Sequence, residues 1–227
     1  LSSGLATMET KFDATNPIHI GRFTIHDDHA KRRWLSVAEV FEYSSNIGSA
    51  KEAMAAGIER QKDFLGKLGL LNTPRFELNE VAAPHIPSPW HEVNLMTIAF
   101  GHCMSVSPLQ MATAVSAVVN GGLLYRPTLL MPAAAPQGER VVKPEVSDEM
   151  RKLLRLVVTG GTGKFAAAPG YLVGGKTGTA EEVSHAGYAR KQLLASFVGV
   201  FPANDPQYVV IISIDQPHGT KASYGYA

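Results

Sequence analysis

A chain of 227 residues with a formal net charge of +1, 45% apolar and 18% charged, is long enough to bury a substantial core as one domain. Acids and bases are interspersed rather than blocked, which excludes a nucleic-acid surface held by electrostatics. The single cysteine, Cys103, excludes an internal disulfide, and its apolar surroundings predict a small buried side chain.

Residues 1–12 lack a basic region followed by an apolar run and do not read as a signal peptide. Residues 1–33 read as irregular, with turn chemistry at Asn16-Pro17, Gly21 and His26-Asp27-Asp28-His29. That last cluster has no further ligand at zinc spacing, so it is expected to be a solvated loop and no metal is assigned. At Ser36-Val37-Ala38-Glu39 a capping box opens a helix whose Val37, Val40 and Phe41 share a face. The helix runs into Tyr43-Ser44-Ser45-Asn46, and a second helical stretch, 47–56, stops near Gly57. Ser44 and Asn46 therefore fall at a helix junction with side chains small enough to face a cleft, although capping or a turn accounts for the same residues.

A third helix is expected over 58–68, with Gly69 as its stop. Residues 72–90 form a proline-rich loop of a length that often lines a site, with Trp90 packing beneath it. Residues 93–125 contain no Asp, Glu, Lys or Arg, yet His102, Pro108, Gln110, Asn120 and paired glycines divide them into buried core helices rather than a membrane span. Ser107-Pro108-Leu109-Gln110 combines a serine cap with proline at the first helical position, and the helix it opens is expected to be a thoroughly buried spine. Ser147 is expected to cap a further helix through Val158, stopped by Gly160-Gly161.

Gly170 to Thr177 spells the phosphate-loop pattern, but a phosphate loop follows a buried strand and opens a helix. Here a Pro-Gly turn precedes it and Gly178 falls where that helix would propagate, so nucleotide binding is set aside. Lys176 instead begins an antiparallel three-strand unit with β-rich runs at 192–201 and 208–216, while 183–188 reads as loop. Alternation along that first strand puts Thr177 and Thr179 on one face.

Ser44-Ser45-Asn46 and Lys176-Thr177-Gly178-Thr179-Ala180 resemble the second and third motifs of penicillin-binding protein transpeptidases and the related serine β-lactamases. Gly161-Thr162-Gly163-Lys164 and the Ser105 to Met111 segment extend the likeness over nearly the whole chain, which is most similar to the class B, division-associated type. The resemblance implies an α+β fold of the penicillin-binding/serine β-lactamase-like type, an antiparallel sheet with a helical subdomain. It also implies a peptidoglycan D,D-transpeptidase without a cofactor, in which a serine attacks the carbonyl between two D-alanines of a stem peptide and a neighbouring amine takes the acyl group. β-Lactam antibiotics would be ligands. Ser44 would relay a proton to the leaving nitrogen, Asn46 would bind the substrate amide and the catalytic lysine, and Lys176 would supply positive potential. Ser45, Thr177, Gly178, Thr179 and Tyr224 would bind substrate, with the two threonine hydroxyls on its carboxylate and the Thr179 amide donating to the oxyanion. A D,D-carboxypeptidase or serine β-lactamase uses the same motifs, and a non-catalytic β-lactam-binding sensor or scaffold is the alternative of another class.

The family's first motif, Ser-x-x-Lys, is absent, since no lysine of the chain has a serine three positions before it. The expectation is therefore a partial transpeptidase domain over 1–227, incomplete at both ends, with that motif upstream of Leu1 and a final helix beyond Ala227. The chain alone would be inactive. Its parent would sit at the bacterial inner membrane, catalytic domain on the periplasmic side, anchored by a segment outside this chain and partnered by division-complex membrane proteins.

Overall fold

The computed structural model describes residues 1–78, 80–184 and 187–218. Side-chain caps fix where its main helices begin. Before α1 (Val37–Tyr43) the Ser36 Oγ accepts from the Glu39 amide at 3.2 Å while the Ser36 amide donates to the Glu39 carboxylate at 2.9 Å. Arg33 donates to the same carboxylate at 2.6 Å, and these two partners hold Glu39 down to about 2. Ser107 and Gln110 repeat the reciprocal pairing before α5 (Pro108–Val119), with Pro108 in the first turn. Such caps contribute about 1 kcal/mol each by satisfying amides that the helix cannot.

Between these lie α2 (Asn46–Ala56), α3 (Ile58–Lys67) and α4 (Glu92–Ile98). Leu35, Val40, Ile47 and Met96 form one buried cluster beneath α1 and α2. α5 is less enclosed than its composition predicts: Gln110, Ala114, Ala117 and Val119 are buried, whereas Leu109, Ala112, Val115 and Val118 are half-buried. Gln110 is accommodated in the interior because it donates to the carbonyls of Gly69 and Asn72 at 3.2 and 2.9 Å, tying the spine to the end of α3. The 72–90 loop carries no helix or strand among its described residues beyond one bridge from His85 to Ser105, and Trp90 packs half-buried with its indole N–H on Gln61 at 3.2 Å.

Several expectations are corrected. Residues 1–36 contain two short antiparallel pairs, β1 (Lys11–Asp13) with β4 (Trp34–Ser36) and β2 (Ile18–Ile20) with β3 (Phe23–Ile25). Strands of three residues carry too little alternation to register as a period. β5 (Leu123–Leu124) and β6 (Glu139–Arg140) make another short pair. α6 spans Pro144–Thr159 with Lys143 at its cap, because Pro144 presets the first helical turn. Ser147 does not cap this helix. It is fully buried within it, and its Oγ accepts the Gly121 amide at 3.0 Å, satisfying a donor left over beyond α5. Cys103 is exposed, in a left-handed turn residue at φ 61°.

β7 (Gly174–Ser184), β8 (Gly187–Phe201) and β9 (Tyr208–Asp215) form an antiparallel sheet in sequence order. Pairing continues through Val183 with Tyr188 and Ser184 with Gly187, where the composition predicts a loop, because ladder formation overrides local turn chemistry. A register shift between Glu181 and Val183 lies beyond the lysine motif, so alternation within the motif is regular. α6 packs on β7, and Leu154, Val119 and Val200 close the core between them.

Beneath α1 and α2, Phe12, Val40, Phe41, Phe64 and Leu153 help line a cavity of about 300 Å³ into which Glu52 also faces. The Glu52 Oε1 is buried without a partner among the described residues, and burial pushes its carboxyl up to about 7.

The β7–β8 ladder depends on glycine at one position. A Cβ at Gly175 would fall 2.5 Å from the Val198 carbonyl oxygen and inside the Phe197 ring. Gly175→Ala is therefore expected to destabilise the fold by about 1–3 kcal/mol, the usual range for overpacking, read as a lower urea midpoint.

Candidate active site

The junction of α1 and α2 turns within two residues. Ser44 ends α1 in the left-handed conformation at φ 56° and ψ 48°, and Ser45 starts α2 as its N-cap. A non-glycine residue held there costs roughly 1–2 kcal/mol, and the surrounding hydrogen bonds keep it in place. The Ser45 Oγ accepts the Gly48 amide at 2.9 Å and donates to Asp27 at 2.8 Å, while the other Asp27 oxygen accepts the Ile47 amide at 2.9 Å. Asn46 Nδ2 donates to the His26 carbonyl at 3.0 Å. One loop thus clamps the start of α2, and the Asp27 charge complements the helix dipole.

This bears on two expectations. Ser45, expected among the substrate-binding residues, is 3% exposed, caps α2 and bonds Asp27, which makes it a strut of the junction. His26-Asp27-Asp28-His29 is not simply a solvated loop, since Asp27 is half-buried and anchors the junction. Among the described residues no group of three or more His, Cys, Asp or Glu could hold a metal ion.

Across from the junction stands β7. Lys176 Nζ donates to the Ser44 Oγ at 2.7 Å and to its neighbouring Thr177 carbonyl at 3.2 Å, and lies 5.9 Å from the centre of the Phe41 ring. Burial pushes the ammonium down to about 8, and no carboxylate among the described residues forms a salt bridge with it. It is still protonated about ten to one at pH 7. Among the described residues its field is therefore not paired by an anion. Ser44 itself is exposed.

Alternation places Lys176 and Gly178 on one face of β7 and Thr177 and Thr179 on the other. The Thr177 Oγ1 meets the Thr162 Oγ1 at 2.7 Å, which fixes that hydroxyl against the turn after α6. Opposite Gly178 in register is Ser196, whose Oγ donates to the Gly178 carbonyl at 3.3 Å and would sit 2.8 Å from a Cβ there. Among the described residues β7 is also the edge of its sheet, so one side of its backbone faces away from the ladder. Asp27 and Ser196 carry no sequence signal beyond an ordinary turn and an ordinary strand serine. Thr162 lies inside a motif that the sequence does mark, but its contact with Thr177 is not legible there. Tyr224 lies outside the described residues.

A lysine on a sheet strand facing a Ser-x-Asn helix junction in an α+β fold is the arrangement expected of penicillin-binding proteins and the related serine β-lactamases. Residues 1–227 match the penicillin-binding protein transpeptidase domain, and the chain belongs to that family. It is 39% identical over 238 residues to a probable peptidoglycan D,D-transpeptidase FtsI of Caulobacter vibrioides, covering all of this chain and 40% of that protein. The transpeptidase domain of Burkholderia pseudomallei penicillin-binding protein 3 superposes with a TM-score of 0.89 at 35% identity, covering 95% of this chain and 67% of that one. Penicillin-binding protein 3 of Mycobacterium tuberculosis, solved with aztreonam, gives 0.87 at 28% identity over 95% of this chain and 53% of its own. The chain thus spans well under half the length of the curated relative and about half to two thirds of these structures.

The geometry can be checked at both partners of the lysine contact. Side-chain NMR of isotope-labelled lysine is expected to show one ammonium, absent in Lys176→Met, titrating near pH 8, well below exposed lysines. Ser44→Gly relieves the left-handed strain of roughly 1–2 kcal/mol but adds about 0.4–1 of unfolded-state entropy. It also removes the hydroxyl that accepts from the Lys176 ammonium, a charged hydrogen bond worth about 1.5–3 kcal/mol, so urea unfolding is expected to show a net loss of up to about 3 kcal/mol.

Proposed function

We propose that the protein carrying this chain is a peptidoglycan D,D-transpeptidase that cross-links stem peptides through a serine acyl-enzyme and is a target of β-lactams. The observation that carries the reading is the 2.7 Å hydrogen bond from Lys176 to Ser44, joining a sheet edge to a helix junction 132 residues away in the chain.

The reaction needs a proton delivered to a leaving amide nitrogen and stabilisation of charge on the carbonyl oxygen. With the Lys176 ammonium donating to its Oγ, the Ser44 hydroxyl can pass its own proton to the leaving nitrogen while taking one from the ammonium in return, so it ends as a neutral hydroxyl and acts as a relay. Asn46, pinned by His26 through its amide nitrogen, keeps its side-chain carbonyl for the substrate amide. The β7 edge is suited to an extended peptide added as a further strand, the mode in which main-chain hydrogen bonds supply affinity. In that pose Thr177 and Thr179 bind the terminal carboxylate, Gly178 keeps the strand clear of side-chain bulk, and the Thr179 amide serves the oxyanion.

In this reading the nucleophilic serine and its lysine belong to a Ser-x-x-Lys segment outside the 227 residues, because none occurs within them. The aztreonam-bound relative supports β-lactams as ligands. The likeness to the division-associated type supports division-complex membrane proteins as partners and a periplasmic catalytic domain held at the inner membrane. Among the described residues no helix is long and apolar enough to cross a membrane, so an anchor would come from elsewhere in the protein.

Acylation of the full-length protein by a fluorescent penicillin tests the assignment. Lys176→Met is expected to slow it by about 10²–10³, the loss typical of removing one electrostatic stabiliser, with an unfolding midpoint no lower than the parent's. Wild-type rates in the variant would overturn the role of Lys176. The 227-residue chain alone is expected to gain no penicillin mass; an adduct by intact-mass measurement would place the nucleophile within it.

A further inference from the structure

α6 turns Leu153, Leu154, Val157 and Val158 into the core and leaves Asp148, Arg151, Lys152, Arg155 and Thr159 on its outer side. A charged outer face on a surface helix is ordinarily a solvated one. This one instead forms the wall of a groove of about 520 Å³, closed on the other side by Leu172 and the Ala203-Asn204 turn. That volume lies in the range of ligand sites, and the groove shares no lining residue with the Ser44–Lys176 cleft.

Both walls are fixed before anything binds. Arg155 donates to the Val173 carbonyl at 2.7 Å, and the Ala203 amide donates to the Leu172 carbonyl at 2.6 Å, so α6, the segment leading into β7 and the β8–β9 turn are tied together. The charges are unequal. Asp148 pairs with Arg151, which also donates to the Val119 carbonyl at 3.0 Å. Lys152 and Arg155 have no carboxylate partner among the described residues. Beside these two cations, Leu172 stays 48% exposed, and Leu156 and Ala203 add apolar surface.

An occupant must satisfy both features at once. A free inorganic anion would neutralise the cations and leave the apolar floor wet. A nucleic acid would need a broad basic field, which a chain of net charge +1 does not supply. We propose that the groove docks an acidic peptide segment of another protein, with carboxylates on Lys152 and Arg155 and an apolar side chain against Leu156 and Leu172. Charge complementarity sets the register of such a segment and the apolar contact holds it, as in other peptide grooves. The inference stands apart from the transpeptidase reading, because nothing in it uses the cleft.

Fluorescence anisotropy of a labelled peptide of alternating Asp and Leu, titrated with the full-length protein, tests it. Saturable binding is expected, weakened at least about tenfold by Lys152→Glu, a charge reversal at an exposed position. Leu172→Ser should weaken it as well, and penicillin acylation and the unfolding midpoint of Lys152→Glu should match the parent's. An alternating Asp and Ser peptide and inorganic phosphate should fail to compete. No saturable binding, binding indifferent to Lys152→Glu, or equal displacement by phosphate or the Asp and Ser peptide would overturn the proposal.

Discussion

One contact between Lys176 and Ser44 sets the terms for everything around it. The lysine is carried by a sheet edge and the serine by the end of a helix, so neither element can shift by an ångström without breaking a 2.7 Å bond. The requirement propagates outward. Strand β7 is held by β8 along one side and by α6 across its face, with Gly175 and Gly178 permitting the close register. The serine is held in a left-handed conformation that local sequence does not favour, and that strain persists only because the junction is bonded on several sides.

The less visible half of the arrangement is the loop before β4. By accepting from Ser45 and the start of α2, Asp27 converts a surface turn into a fixed abutment, and the His26 carbonyl orients Asn46. Three consecutive residues thereby receive different duties: Ser44 faces the lysine, Ser45 builds the corner, and Asn46 is tied to the His26 carbonyl. Adjacent positions in one motif are divided by backbone direction, since a helix end and a helix start present their side chains along different axes.

That division explains what is legible in the sequence. Caps at Ser36 and Ser107 and the stop at Gly57 are local chemistry, and the helices begin and end where that chemistry puts them. The lysine strand and its hairpin partners are readable for the same reason, because β-rich runs between proline turns carry their own signal. Ser147 misleads because a serine before an apolar stretch looks like a cap whether or not a proline has already started the helix. Asp27 and the Thr162–Thr177 contact are hidden because their partners lie 18 and 15 residues away and are chosen by tertiary packing alone. The burial of Ser45 turns on a property a motif cannot spell, which side of the chain faces inward.

The buried ionisable groups give the molecule a characteristic dependence on acidity. Glu52, lifted to about 7, is neutral in mild acid and incurs its full burial cost only once it ionises above that value. Lys176, lowered to about 8, incurs its cost while protonated and is relieved only as the solution becomes alkaline. Both penalties act near neutral pH, so a charged lysine in the cleft coincides with the ionisation of a buried carboxyl. Poise at the lysine and robustness of the fold are thus set against each other.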